Sequence, residues 1–243
     1  IHGKPEKPKV KNKIMLQKLN SVEDGRGDNS NSQYAALGMR ACHDAGVTFP
    51  KELIALARQW WVISQHPGNP DDLKNRPAVA SGGGGVQGIP RGWCYTDGDP
   101  DCKSAGAAYG SMTAGAVSAL CIYDYMLGQD WKKDKVIQDG LAWMDKNWSV
   151  TENIGPPEAG KGHPQAFLLY YLYAVERVGM LYDTTTIGSH QWYPEGATYL
   201  LSTQGGGAWA VSTAKMGPVP DTCFAILFLK RATRAMVASG GRK

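Results

Sequence analysis

The run Asp97-Gly98-Asp99-Pro100-Asp101 sets three carboxylates at alternate positions. Calcium loops present hard oxygen ligands at that spacing. A helix–loop–helix calcium loop would also need glycine at 102 and glutamate at 108, where Cys102 and Ala108 stand. A solvated acidic turn is therefore the simpler reading, with a calcium loop as the alternative. Cys94 and Cys102 share this segment, and their spacing permits a disulfide. Five cysteines exclude a fully paired framework. Cys42, Cys121 and Cys223 fall in apolar helical patterns, where a buried free thiol is expected. The paired aromatics Trp60-Trp61, Tyr170-Tyr171 and Trp192-Tyr193, with Tyr173, could line a hydrophobic or sugar-binding pocket, although such residues more often pack helices together. Tyr170, Tyr171 and Phe224 are the candidate pocket lining. His43 and His66 stand near expected helix ends, as caps or in solvent. No phosphate loop, dinucleotide fingerprint, nucleophile elbow or His-Glu-x-x-His motif occurs.

The elements that must position these groups recur. Gly196-Ala-Thr-Tyr199-Leu200 is followed by Gln204, Gly207 and Trp209, and Gly140-Leu-Ala-Trp143-Met144 by Trp148. Trp60-Trp61 is followed by Gln65 and, after a long insertion, Gly92-Trp93; Leu16-Gln17 is followed by Ser21, Gly25 and Gly27. Each reads as an amphipathic helix ending in a polar, glycine-rich turn. A second class alternates with the first, beginning near Asn31, Ser111, His163 and Asp221. Asn, Ser and Asp there predict N-caps, and Pro164 fits a first helical position. The helices that follow are apolar or small nearly all round, as in Ala166–Val175, so they are expected to be buried on most sides. The expectation is four outer–inner pairs, eight main helices, and no strands. Residues 14–237 form the repeat domain, with a glycine-rich insertion loop at about 66–110. Residues 1–13 and 238–243 are expected to be flexible tails.

Charge and hydropathy exclude two classes of partner. The 243 residues carry a net charge of +4, with hydrophobic residues at 42% and charged residues at 20%. Six lysines lie in residues 1–20, and five more basic residues lie in 230–243. The body between is slightly acidic, which argues against nucleic acid. The longest apolar stretch, Ala166–Val175, is half of the roughly twenty residues a membrane span needs. The chain opens on Ile1 with no visible leader, so either a leader was removed or a longer polypeptide was cut.

The first helix class resembles the glutamine–tryptophan repeat of squalene and hopene cyclases, with Tyr199, Leu200, Gln204, Gly207 and Trp209 the best copy. The alternation of inner and outer helices is similar to the α/α toroid of terpenoid cyclases and protein prenyltransferase β-subunits. Phrases such as Asp28-Asn-Ser-Asn-Ser-Gln-Tyr-Ala-Ala-Leu-Gly, Trp192-Tyr-Pro-Glu-Gly-Ala and Asp221-Thr-Cys-Phe-Ala-Ile-Leu resemble a bacterial group of toroid-repeat proteins, common in planctomycetes and often exported. The resemblance covers roughly residues 14–236. It implies an all-α fold, an α/α toroid or an incomplete arc of one, and an extracytoplasmic setting. Full toroids of this type have about six helix pairs, so a protein partner or the remainder of a longer chain is expected to complete the ring.

The resemblance also carries a chemistry to test. Cyclases protonate their substrate with an Asp-x-Asp-Asp motif, which this sequence lacks. Prenyltransferase β-subunits hold zinc with Asp-x-Cys at one inner helix start and His at another. Asp221, Cys223 and His163 match those residue types, though the His here precedes the Asp-Cys pair. A carboxylate, a thiolate and an imidazole are competent zinc ligands, while the simpler reading makes Asp221 a helix cap. The functional expectation is a non-catalytic scaffold or binding module for a hydrophobic or glycan ligand or a protein partner. The alternatives are a zinc-dependent prenyltransferase-like enzyme and a polysaccharide-acting toroid enzyme.

Overall fold

The computed structural model describes residues 27–69, 71, 88–95, 108–155, 165–211 and 217–236. Helix α1 spans Asn29–Asp44, α2 Lys51–Ile63, α3 Gly110–Leu127, α4 Lys135–Lys146, α5 Leu168–Tyr182, α6 Trp192–Thr203 and α7 Pro218–Leu229. A 3-10 turn, Trp131–Lys133, leads into α4. Among the described residues there is no strand, only the isolated bridges Ile187–His190 and Gly205–Ala208. The protein is all-α there. The outer helix expected around Leu16 lies outside the described residues.

The odd-numbered helices adjoin one another in chain order. Helix α3 packs against α1, α2, α4 and α5, and α5 packs against α3, α6 and α7. The sequence explains why α3 sits at the centre. Its residues are small or apolar around the whole helix, and every one from Gly110 to Asp124 is buried. Its end is set locally, because Gly128 adopts φ +72° and Gln129 N–H donates to the Asp124 carbonyl, closing the last turn.

Four helix starts differ from the sequence expectation. Asp28, not Asn31, caps α1, and its Oδ1 accepts from Asn31 N–H at 3.0 Å. Ser111 is already helical; its N–H donates to Asn153 Oδ1 at 2.9 Å, so the cap comes from a distant loop. Asp221 lies in the fourth position of α7, which begins at Pro218 after Gly217. Helix α5 starts at Leu168, behind Phe167 at φ +57°. That is later than the start expected at His163 and Pro164, both outside the described residues.

Two tryptophans fasten outer to inner helices in the same way. Trp93 donates its indole N–H to the Trp61 carbonyl at 2.8 Å and its backbone N–H to Thr113 Oγ1 at 3.1 Å. Trp209 donates its indole N–H to the Leu200 carbonyl at 2.8 Å and its backbone N–H to Thr222 Oγ1 at 3.0 Å. Trp61 and Leu200 are matched positions of the sequence repeat. Thr113 and Thr222 differ by one position when the inner helices are matched at Ser111 and Asp221. The chain reaches Trp209 through a two-residue turn with Gly206 at φ +58° and Gly207 at φ +81°, a pair of left-handed positions that glycine fills without strain. A buried tryptophan contributes on the order of 3 kcal/mol to such a core. The described part of the expected insertion loop is therefore structural. Trp93 is fully buried, and His66, expected as a cap or in solvent, is buried beside it with its N–H on the Gly92 carbonyl.

Candidate functional site

Tyr170, Tyr173 and Arg177 stand at i, i+3 and i+7 on α5, hence on one face. Phe224 of α7 faces them. Its ring centroid is 5.6 Å from that of Tyr170, edge-on, and 5.8 Å from that of Tyr173, stacked. From α1, the Tyr34 ring tilts against Tyr170 at 6.2 Å. Three helices that are distant in sequence thus build one aromatic cluster. Tyr34 keeps 40% of its surface exposed, so the cluster opens to solvent on that side.

Beneath the rings lies a charge. Arg177 is fully buried, and its guanidinium carbon sits 5.2 Å from the Tyr34 centroid and 4.7 Å from the Tyr173 centroid. Such cation–π stacking offsets part of the cost of desolvating the cation. Arg177 Nη2 donates to Gln33 Oε1, and Gln33 Nε2 donates to the Tyr170 hydroxyl. Gln33 reaches this position only because residue 115 is glycine, where a Cβ would stand 2.6 Å from Gln33 Oε1. Arg177 Nε and Nη1 have no hydrogen-bond partner among the described residues. The adjacent acid, Glu176, is engaged elsewhere. It accepts from Thr233 N–H at 2.9 Å and from Thr233 Oγ1 at 2.6 Å. Burial raises the Glu176 carboxyl above its ordinary value, against the pull of those bonds and of the Arg177 charge.

Burial, helped by the Tyr34 phenol, holds the Tyr170 hydroxyl well above the ordinary phenol value despite the Arg177 charge. It stays protonated at neutral pH. Beside that hydroxyl the cluster sets the Gln33 amide and the Arg177 guanidinium.

The sequence candidates divide. Tyr170 and Phe224 are in ring contact. Tyr171 does not belong: one step round the helix turns it into the core, 1% exposed, against Gly110. Asp221 and Cys223 are two residues apart on a helix, about 200° round its axis. Asp221 is buried and Cys223 is exposed, so the two side chains diverge. His163 lies outside the described residues, among which no group of three His, Cys, Asp or Glu is placed to hold a metal. Asp97, Asp99, Asp101 and Cys102 also lie outside them. Cys94 is disulfide-bonded. Cys121 is a buried free thiol as expected, whereas Cys42 and Cys223 are free but exposed, because the apolar faces of α1 and α7 are narrower than their composition implies. Sequence reasoning missed Gln33, Tyr34 and Arg177. The i, i+3, i+7 spacing on α5 was the available signal for Arg177. Nothing local pointed to α1.

Among known proteins, no family model, no curated protein and no solved structure matches the chain.

Proposed function

We propose that the chain is a non-catalytic ligand-binding domain built as an incomplete arc of the α/α-toroid type. The observation that carries the binding reading is the half-open aromatic cluster of Tyr34, Tyr170, Tyr173 and Phe224 over Arg177. Hydrophobic rings around a few polar groups are what small-ligand sites use. The arc reading is supported by the row α1, α3, α5, α7 and by the repeated tryptophan fastening. Val219 and Ile226, 73% and 44% exposed on α7, support a protein partner along that edge. The Cys94 disulfide supports an oxidising, extracytoplasmic setting. A zinc-dependent transferase is the weaker proposal, since Asp221 and Cys223 point apart.

The test is a binding panel of isoprenoid, aromatic and oligosaccharide compounds against purified protein. At least one compound is expected to bind and to be recovered chemically unchanged. Tyr170→Ala and Phe224→Ala should each weaken it roughly tenfold, the loss of one aromatic anchor. A consumed ligand overturns the non-catalytic reading, and silence across the whole panel overturns the binding reading.

A further inference from the structure

The odd feature of the cluster is its cation. A charged group buried without a counter-ion is expensive, and it persists where something offsets it. Two tyrosine rings and one amide oxygen engage Arg177, yet Nε and Nη1 stay unpaired in a fully buried side chain. Among the described residues no carboxylate forms an ion pair with it. The ring above it, Tyr34, is held lightly. It is part-exposed, and its hydroxyl makes no hydrogen bond among the described residues.

We propose that Arg177 anchors a monoanionic ligand, a carboxylate carried on a ring, whose acid group seats on Nε and Nη1 once Tyr34 swings aside and whose ring packs against Tyr173 and Phe224. This rests on the binding reading above. A guanidinium matches a planar carboxylate in shape and charge. A single negative charge adds the least to a space where Glu176 already feels the Arg177 charge. A phosphate dianion would leave excess charge in the same buried space, next to Glu176. The flat apolar faces of Tyr173 and Phe224 favour a ring beside the acid group over an open chain. Sugar acids and aromatic acids share this chemistry.

Thermal melting and calorimetry of the whole chain with galacturonate, phenylacetate, galactose and phenylethanol test it. At least one acid is expected to raise the melting temperature by roughly 2–4 °C near saturation, its neutral counterpart doing less. Galacturonate and phenylacetate tell the two sources apart. Arg177→Met should abolish the preference for the acid and melt at or above the wild type, because it removes an unpaired buried charge. An acid bound no better than its neutral counterpart overturns the anchor while leaving the binding domain standing. Binding of none of the four overturns it too, and the wider panel above then decides the binding reading. An acid preference surviving in Arg177→Met also overturns it. Should that variant not fold, Tyr34→Ala decides. Removing the ring should speed association of the acid roughly tenfold, and an unchanged rate sinks the proposal.

Discussion

Two arginines, Arg58 half-buried and Arg177 fully buried, are held in opposite ways. Arg58 of α2 donates Nε to Asp124 Oδ1 at 2.5 Å and Nη2 to Asp134 Oδ2. Asp134 in turn caps α4, accepting from Val136 N–H at 2.6 Å. One cation ties three helices, and each charge faces an opposite one. Arg177 faces aromatic rings, an amide oxygen and open donors. In the first arrangement each charge meets an opposite one within the fold. In the second, Nε and Nη1 have no hydrogen-bond partner among the described residues. A buried charge paired within the fold reads as structure, and one left unpaired beside an opening reads as a site.

The comparison can be broken experimentally, starting with the largest effect. Arg58→Met strands Asp124, which is 1% exposed on its side chain, and should cost about 3 kcal/mol by urea unfolding at pH 7. A cost below 1 kcal/mol would mean the pair is not structural.

The next effect is on pH. Burial pushes the Asp124 carboxyl up to about 6, with Arg58 pulling it down and Asp134 adding to the rise. The folded protein therefore holds this proton more tightly than the unfolded chain does. The associated stability is present below about pH 4 and is lost as pH rises through 6, on the order of 3 kcal/mol. Asp124→Asn should flatten that part of the unfolding free energy between pH 4 and 7. An unchanged slope would assign it to another group.

Thr233→Val removes the hydroxyl donated to Glu176 and should cost about 1.5 kcal/mol, read from the urea midpoint. It leaves the Arg177 stack in place, so ligand preference should not change. If the preference moves, the Glu176 and Arg177 environments are one unit and the contrast with Arg58 blurs. Smallest in stability is Arg177→Met itself, within about 1 kcal/mol of wild type or more stable.

Much of the helical order was legible in the sequence. The positions of α2, α4 and α6 follow from amphipathic repeats, and the burial of α3 follows from a stretch with no polar face. Helix ends were less legible. Asp28, Asn29 and Asn31 are all competent caps, and only the backbone angles select Asp28. Ser111 looked like a cap, but Asn153, forty-two residues on, satisfies its N–H. The site was legible by half. Tyr170 and Phe224 carried a type signal, whereas Tyr171 carried the same signal and turned the other way. Type does not reveal direction, and the period of 3.6 does.

The sequence by itself determined that the described part of this chain is helical, that α3 and α5 are buried on most sides, and that a tryptophan follows an outer helix in each well-formed repeat. Those properties come from spacing along the chain, which local sterics and hydrophobicity convert into structure. Tertiary structure alone decided that Gln33 would meet Arg177, 144 residues away, and that Tyr34 would cover them. Such meetings depend on how whole helices pack. Gly115, which opens the space for Gln33, carries no mark of that role until α1 lies against α3.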